Sequence, residues 1–424
     1  MATALPVEIA RMIVDYIEDK GSLLNLLVTT HAFRLLAELH LYAVVSFLPF
    51  PGRPAGYEEE PLRASLWDVS RSLLRGITTG GGRCARYVKR LHLTASGFRR
   101  REQYTVFQAI LKLTANLEDL YIHPFQLAPT SLNLQTLLED PQGSPPPFTL
   151  RSFGWYLSEG LGTVRLDWFL SHHKSIERLF IPFLPISDSS PSTATLPRLR
   201  VLHTRHQAAA RRLLRGNHVT HLKLSHDNIE DPDDAALRNV VICALQPVYF
   251  SRISTVVARM PNLVCLEIQA ISRTYSPVAT GLRNPLRARP QKPAKSLPKG
   301  GSMCDFTDEG ATKLRYLRIL PSRTSRVKES PWDFEDVVTT FNNIPSLTHI
   351  IVQVTPSWSV PHYCWFARGA PRPVKLRSMS LKPEWWRDDW IEHCVVVPFK
   401  EASHRVGYTD NLLDGAGPVE PPIS

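Results

Sequence analysis

The stretch VKRLHL, residues 88–93, decides how this chain folds. Apolar residues stand first, fourth and sixth, and its last half alternates as a strand does. Leu91 and Leu93 therefore face one side of the strand, and Arg90 and His92 the other. The same theme returns as LEDLYI at 117, LRSFGW at 150, IERLFI at 176, LRVLHT at 199 and VTHLKL at 219. It continues as LVCLEI at 263, LRYLRI at 314, LTHIIV at 347 and LRSMSL at 376. A small turn introduces several copies, written LPRL, MPNL and IPSL, with TANL a variant. Between copies, QYTVFQAILKLT, VRLDWFLSHH and FEDVVTTFNN read as helices.

The copies start 20 to 51 residues apart, mostly 20 to 33. A strand plus a helix at that period is the signature of a leucine-rich-repeat solenoid. One repeat cannot bury its apolar face alone, so stacked neighbours share a continuous core. The expected fold class is α/β, with an irregular solenoid over residues 87–400. The wide gaps, 219 to 263 and 263 to 314, read as insertions. The second holds a Pro-rich basic stretch at about 273–305, expected to be exposed because it has few apolar residues to bury. PEWWRDDWIEHC (383–394) reads as a cap over the solenoid's apolar end, and 401–424 as a tail.

Ahead of the repeats, LPVEIARMIVDYIEDKGSLLNLLVTTHAFRLLAELHLY spans residues 5–42. Pro6 in a first turn with Glu8 close behind suits a helix start. Ile9, Met12, Ile13, Tyr16 and Ile17 recur at helical spacing. Gly21 reads as a stop and Ser22 as the next N-cap. A second helix is expected from Leu23 and a third from Phe33 to Tyr42. A trio of this size is marginal alone and needs a partner or the rest of the chain.

These residues resemble an F-box. The elements of the family pattern stand here as Leu5-Pro6-Val7-Glu8, Ile13 and Tyr16, Leu23-Leu24-Asn25-Leu26, Val28 through Phe33, and Leu41-Tyr42. One residue is inserted around Gly21, a threonine replaces the usual cysteine, and Phe33 replaces the usual tryptophan. The resemblance covers about a tenth of the chain. It implies an F-box-like domain at 1–47 and a connecting segment at 48–86. It also implies that Leu5, Pro6, Ile9, Ile13, Leu24, Leu26 and Val28 contact or support a Skp-type linker subunit.

Composition narrows the function. With 43% hydrophobic and 21% charged residues, the chain is globular rather than disordered. Residues 1–10 lack the basic region of a secretory signal, and no apolar run is long enough to span a membrane. Six scattered cysteines without a CxxC fit reduced thiols. A cytosolic or nuclear protein is expected, with no membrane partner. The net charge of +11 invites a polyanion, but seven Lys/Arg and no acid lie between Arg273 and Lys299. Much of the excess thus sits in one stretch, and nucleic acid is not the expected partner.

No constellation announces chemistry. TTGGGR (78–83) lacks the Gly-Lys-Ser/Thr of a phosphate loop. His203, His206, His218, His221 and His226 lie in or beside the strands, without the cysteines or carboxylates that complete a metal site. There is no nucleophile elbow and no HExxH. No cofactor, no metal and no catalytic residue is expected.

An F-box followed by leucine-rich repeats resembles the substrate adaptors of cullin-type (SCF) ubiquitin ligases. The resemblance implies a non-catalytic adaptor: the F-box binds the linker, the repeats bind a client protein, and other subunits transfer ubiquitin. The alternative is a basic leucine-rich-repeat protein that binds nucleic acid or an acidic partner, with no ligase role. The client is expected on the concave sheet, where the residues between the apolar positions point outward. Tyr121, Arg178, Phe180, His203, Lys223, Tyr316 and Arg318 are the candidates there, since aromatics and arginine concentrate binding energy. The excess of arginine over acid favours an acidic or phosphorylated client segment.

Overall fold

A computed structural model describes residues 5–17, 19–46, 76, 82–94, 101–123, 146–156, 166–182, 195–224, 234–248, 258–270, 313–321, 340–353, 362–368 and 374–377. The chain divides after His218 into two units.

The first unit opens with three helices, α1 (Val7–Asp15), α2 (Lys20–Leu26) and α3 (His31–Ala43). The helix start is where expected, but Pro6 is the N-cap of α1 rather than a residue of its first turn. The entry to α2 differs from the expectation. Asp19 is its N-cap, its Oδ2 accepting from Ser22 N at 2.6 Å, and Gly21 lies inside the helix. A carboxylate at that position satisfies an orphan helix donor and suits the positive helix end, so the break falls earlier. Thr30 caps α3, its Oγ1 accepting from Phe33 N at 3.4 Å.

α3 runs straight into β1 (Val44–Ser46). Then come β2 (Arg90–Thr94), α4 (Arg101–Leu113), β3 (Asp119–His123), β4 (Ser152–Trp155), α5 (Leu166–His172), β5 (Arg178–Ile181), β6 (Val201–Thr204) and α6 (Gln207–Leu214). All six strands pair in parallel, each with the next in sequence. Parallel neighbours need a crossover, which α4 and α5 supply in two of the gaps.

The second unit holds β7 (His221–Leu224), α7 (Asp234–Leu237), β8 (Ile242–Val248), β9 (Cys265–Ala270), β10 (Tyr316–Pro321) and β11 (His349–Gln353), again parallel and in order. Two expectations are corrected here. The gap between 219 and 263 contains a further repeat, VVICAL (240–245), in which Cys243 takes the place of a leucine. Cys243 is fully buried, because an unpaired cysteine packs as a small hydrophobe. The segment LRSMSL is described only at Leu376 and Arg377, and there it does not continue the parallel repeat. β13 (Val374–Arg377) runs antiparallel to β12 (His362–Ala367), which is itself antiparallel to β11, so the order ends in a hairpin. Arg368, just past β12, donates to the carbonyls of Phe341, Ile344 and Leu347. It thereby ties the end of β12 to the last parallel repeat, and on Ile344 O it adds to the N–H of Leu347 that this carbonyl already accepts.

Both units repeat one hydrogen-bonding plan. A turn closes by an N–H to the carbonyl three residues back: Leu117 to Thr114, Leu199 to Leu196, Leu263 to Met260, Leu347 to Ile344. The residue after the turn then accepts two N–H groups from the next repeat. Lys89 O receives Glu118 N and Asp119 N, Arg151 O receives Glu177 N and Arg178 N, and Val264 O receives Arg315 N and Tyr316 N. The three apolar positions of each parallel copy are buried, for example Leu117, Leu120 and Ile122, or Leu314, Leu317 and Ile319. The architecture is therefore an N-terminal helical trio followed by an open, sequential, largely parallel α/β repeat sheet. The stretches 273–305, 383–394 and 401–424, and nearly all of 48–81, lie outside the described residues.

Candidate functional site

The helical trio has a small core of its own. Val14, Leu23 and Ala37 are buried, with Ile17, Leu26, Leu27, Phe33, Leu36 and Leu41 packed around them. α1 turns its smaller residues, Ala10 and Val14, inward and its larger ones outward. Leu5, Ile9, Met12, Ile13 and Tyr16 are all exposed, at the three- and four-residue spacing of one helix face. Among the described residues eleven large hydrophobic side chains are exposed, and ten of them fall between Leu5 and Val44. Such a concentration is informative, whereas scattered exposed leucines are not.

Of the seven candidate linker residues, Leu5, Pro6, Ile9, Ile13, Leu24 and Val28 are exposed, Val28 by 85%. Leu26 is different: it is half-buried and packs into the trio's own core. Val7, Met12, Tyr16, Leu39 and Val44 are also exposed, and none of them is among the candidate linker contacts.

The trio is fastened to the first repeats by backbone and charge. Lys89 N donates to Ala43 O at 3.1 Å, and β1 continues the sheet. Buried Glu38 accepts from Arg34 at 3.1 Å and from Arg83 at 2.6 Å, joining α3 to the turn before β2. Tyr42 and Cys84 lie in the same corner, where burial is the first cause that raises both pKa values; next comes the Cys84 charge for Tyr42 and the Glu38 charge for Cys84.

The sheet face opposite the core was expected to be open. It is largely filled by its own side chains. In the first unit one row of the register reads His92, Tyr121, Gly154, Phe180, His203. His92 stacks on Tyr121 at 4.7 Å, and Tyr121 meets Phe180 at 5.8 Å across Gly154. Tyr156 stacks on Phe180 at 6.3 Å, and burial raises its phenol pKa. In the adjoining row Asp119 accepts from Arg90 at 2.9 Å and from Arg178 at 3.4 Å. In the second unit Arg318 and Glu267 form a buried pair at 2.8 Å, while Tyr316 stacks on His349 at 5.4 Å.

Tyr121, Phe180 and Arg318 are thus buried, together with Asp119, Val201, His221, Cys265, Glu267 and Ile351 of the same face. Parallel strands about 4.8 Å apart bring long side chains within lateral contact, so they cover one another. Arg178, His203, Lys223 and Tyr316 stay half-exposed. Among the described residues no group of three or more His, Cys, Asp or Glu is placed to hold a metal ion, and no helix is long and apolar enough to cross a membrane.

The sequence matches no protein-family model and no curated protein.

Proposed function

We propose that this protein is the substrate-recognition adaptor of a cullin-type (SCF) ubiquitin ligase, built from an F-box and irregular leucine-rich repeats. The observation that carries the reading is the outward-turned apolar face of the helical trio. Burying Leu5, Ile9, Ile13, Leu24 and Val28 against a partner would stabilise by roughly 25 cal/mol for each Å² removed from water. The Leu-Pro-x-Glu opening and the order of helices then repeats point to a Skp-type linker as that partner. Ubiquitin transfer belongs to the ligase's other subunits; this chain's task is to hold a client near them. Half-exposed Arg178, His203, Lys223 and Tyr316 supply direct client contacts, and Tyr121, Phe180 and Arg318 form the packed floor beneath. The Glu38–Arg83 contact and the β1 pairing keep the linker-binding helices attached to the first repeat.

The test is co-expression of the full chain with the linker and affinity purification, with mass spectrometry scoring linker and cullin. Their recovery with the wild-type chain, and its loss with Ile9→Asp/Val28→Asp, is the expected result. Absence of both partners from the wild-type preparation would reject the adaptor reading.

A further inference from the structure

The positive charge of the chain is not spread evenly. From Ser189 to His226 there are seven Lys/Arg and five His, and no Asp or Glu. With the Arg273–Lys299 stretch, this makes fourteen cations without an acid. The rest of the chain holds 36 cations against 39 acids, a net −3. The whole excess of +11 therefore resides in two stretches. One lies outside the described residues, and most of the other is the last repeat of the first unit.

The fold gathers part of that charge on one edge. Because the strands are parallel, the turns before them lie side by side. Arg198 sits in the turn closed by Leu199 N to Leu196 O at 2.9 Å, and Arg200 directly precedes β6. Arg211 and Arg215 stand four residues apart at the end of α6, on one face of it. Asn217 ties that helix end to the turn, its Oδ1 accepting from Leu196 N at 3.0 Å and its Nδ2 donating to Leu213 O at 2.7 Å. Gly216, at φ +79°, takes the left-handed conformation that ends the helix. Arg198, Arg200, Arg211 and Arg215 are all exposed, as is His218.

We infer that this corner, around Arg198, Arg200 and Arg215, is a docking site for a short acidic segment of a partner protein. Guanidinium groups pair with carboxylates in a fork geometry and stay charged at any working pH. Asn217 ties the helix end that carries Arg215 to the turn that carries Arg198 and Arg200. Charges within about one Debye length, roughly 8 Å at physiological salt, add in their attraction for an anion. The patch also has a boundary. Arg200 N donates to Glu177 O at 2.8 Å, so the next turn along the edge carries Glu177, whose carboxylate holds Arg151 at 3.0 Å. Glu118 follows two turns further on.

A nucleic-acid backbone following the edge would meet those carboxylates, whereas a run of four or five acidic residues fits within the basic corner. In the aromatic row of the first unit, the Tyr121 and Phe180 rings are buried against their own neighbours and offer no face for a base. The inference stands apart from whatever the helical trio binds.

The experiment uses the full-length chain and a fluorescent ten-residue Asp/Glu peptide, read by fluorescence anisotropy at low and physiological salt. Arg198→Gln/Arg200→Gln/Arg215→Gln is expected to weaken binding at least tenfold. The milder Arg198→Gln/Arg215→Gln pair serves if the triple variant does not fold. Arg283→Gln/Arg287→Gln/Arg289→Gln, which removes the same charge elsewhere, is expected to leave affinity within twofold. Equal losses from the two triple variants would overturn the site, since net charge alone would then explain binding. Tighter binding of a single- or double-stranded oligonucleotide, lost in the Arg198/Arg200/Arg215 variant, would overturn the acidic-peptide assignment.

Discussion

Gly154 lies directly opposite Tyr121 in the register of β3 and β4, and Tyr121 occupies the space a side chain at Gly154 would need. A Cβ on Gly154 would come within 2.5 Å of the Tyr121 ring and 2.8 Å of the Tyr156 ring. The glycine lets Tyr121 reach Phe180 two strands away. Gly154→Ala should therefore lower the stability of the first unit by about 1–3 kcal/mol, the usual cost of overpacking. Thermal unfolding of Gly154→Ala, with and without Tyr121→Ala, checks this. The second substitution should recover part of the loss, and two independent losses would refute the steric account.

His173 should make the first unit sensitive to mild acid. It is buried between Phe148 and Phe169, neither ring nitrogen has a hydrogen-bond partner, and desolvation lowers its pKa to about 4. The unfolded imidazole titrates near 6.5, so between these values the unfolded chain binds the proton and the folded one does not. The stabilisation is fully present above about pH 6.5 and falls away as the pH drops toward 4. At pH 5 the loss is about 2 kcal/mol. Urea unfolding of wild type and His173→Leu at pH 7.5 and 5.0 should show a smaller acid loss in the variant.

Breaking the Glu267–Arg318 pair should be costly from either side. Both side chains are buried, so Arg318→Ala leaves a carboxylate in an apolar setting, at about 3–5 kcal/mol. Glu267→Gln/Arg318→Met should be less destabilised than Arg318→Ala alone. Denaturant midpoints of the two variants decide it. Any loss of client in an Arg318 variant must therefore be read beside its stability.

The helical trio should separate binding from folding by residue. Ile13→Asp and Val28→Asp replace exposed side chains and should abolish linker recovery while the unfolding midpoint stays within about 0.5 kcal/mol of wild type. Leu26→Ala removes a half-buried core residue and should cost about 1–2 kcal/mol, below the range for a fully buried leucine. Linker pull-down beside circular dichroism melts distinguishes the two classes. Linker loss without any stability loss in Leu26→Ala would place Leu26 in the interface after all.

The amino-acid order by itself determined the inward face of the sheet. That Leu91 and Leu93, like their counterparts along the chain, share one side of the strand follows from local spacing, and stacked neighbours then bury that side. The repeat at 240–245 was hidden because Cys243 fills a leucine's place, and volume, not residue name, satisfies a core. What lies opposite the core was decided only by tertiary structure. Glu267 meets Arg318 across 51 residues, and Tyr121 meets Phe180 over Gly154, because stacking sets strand against strand at a fixed register. The outward turn of Ile9, Ile13 and Tyr16 was likewise decided in packing. The spacing of α1 marks an apolar stripe, but only its packing on α3 shows that the small Ala10 and Val14 face inward.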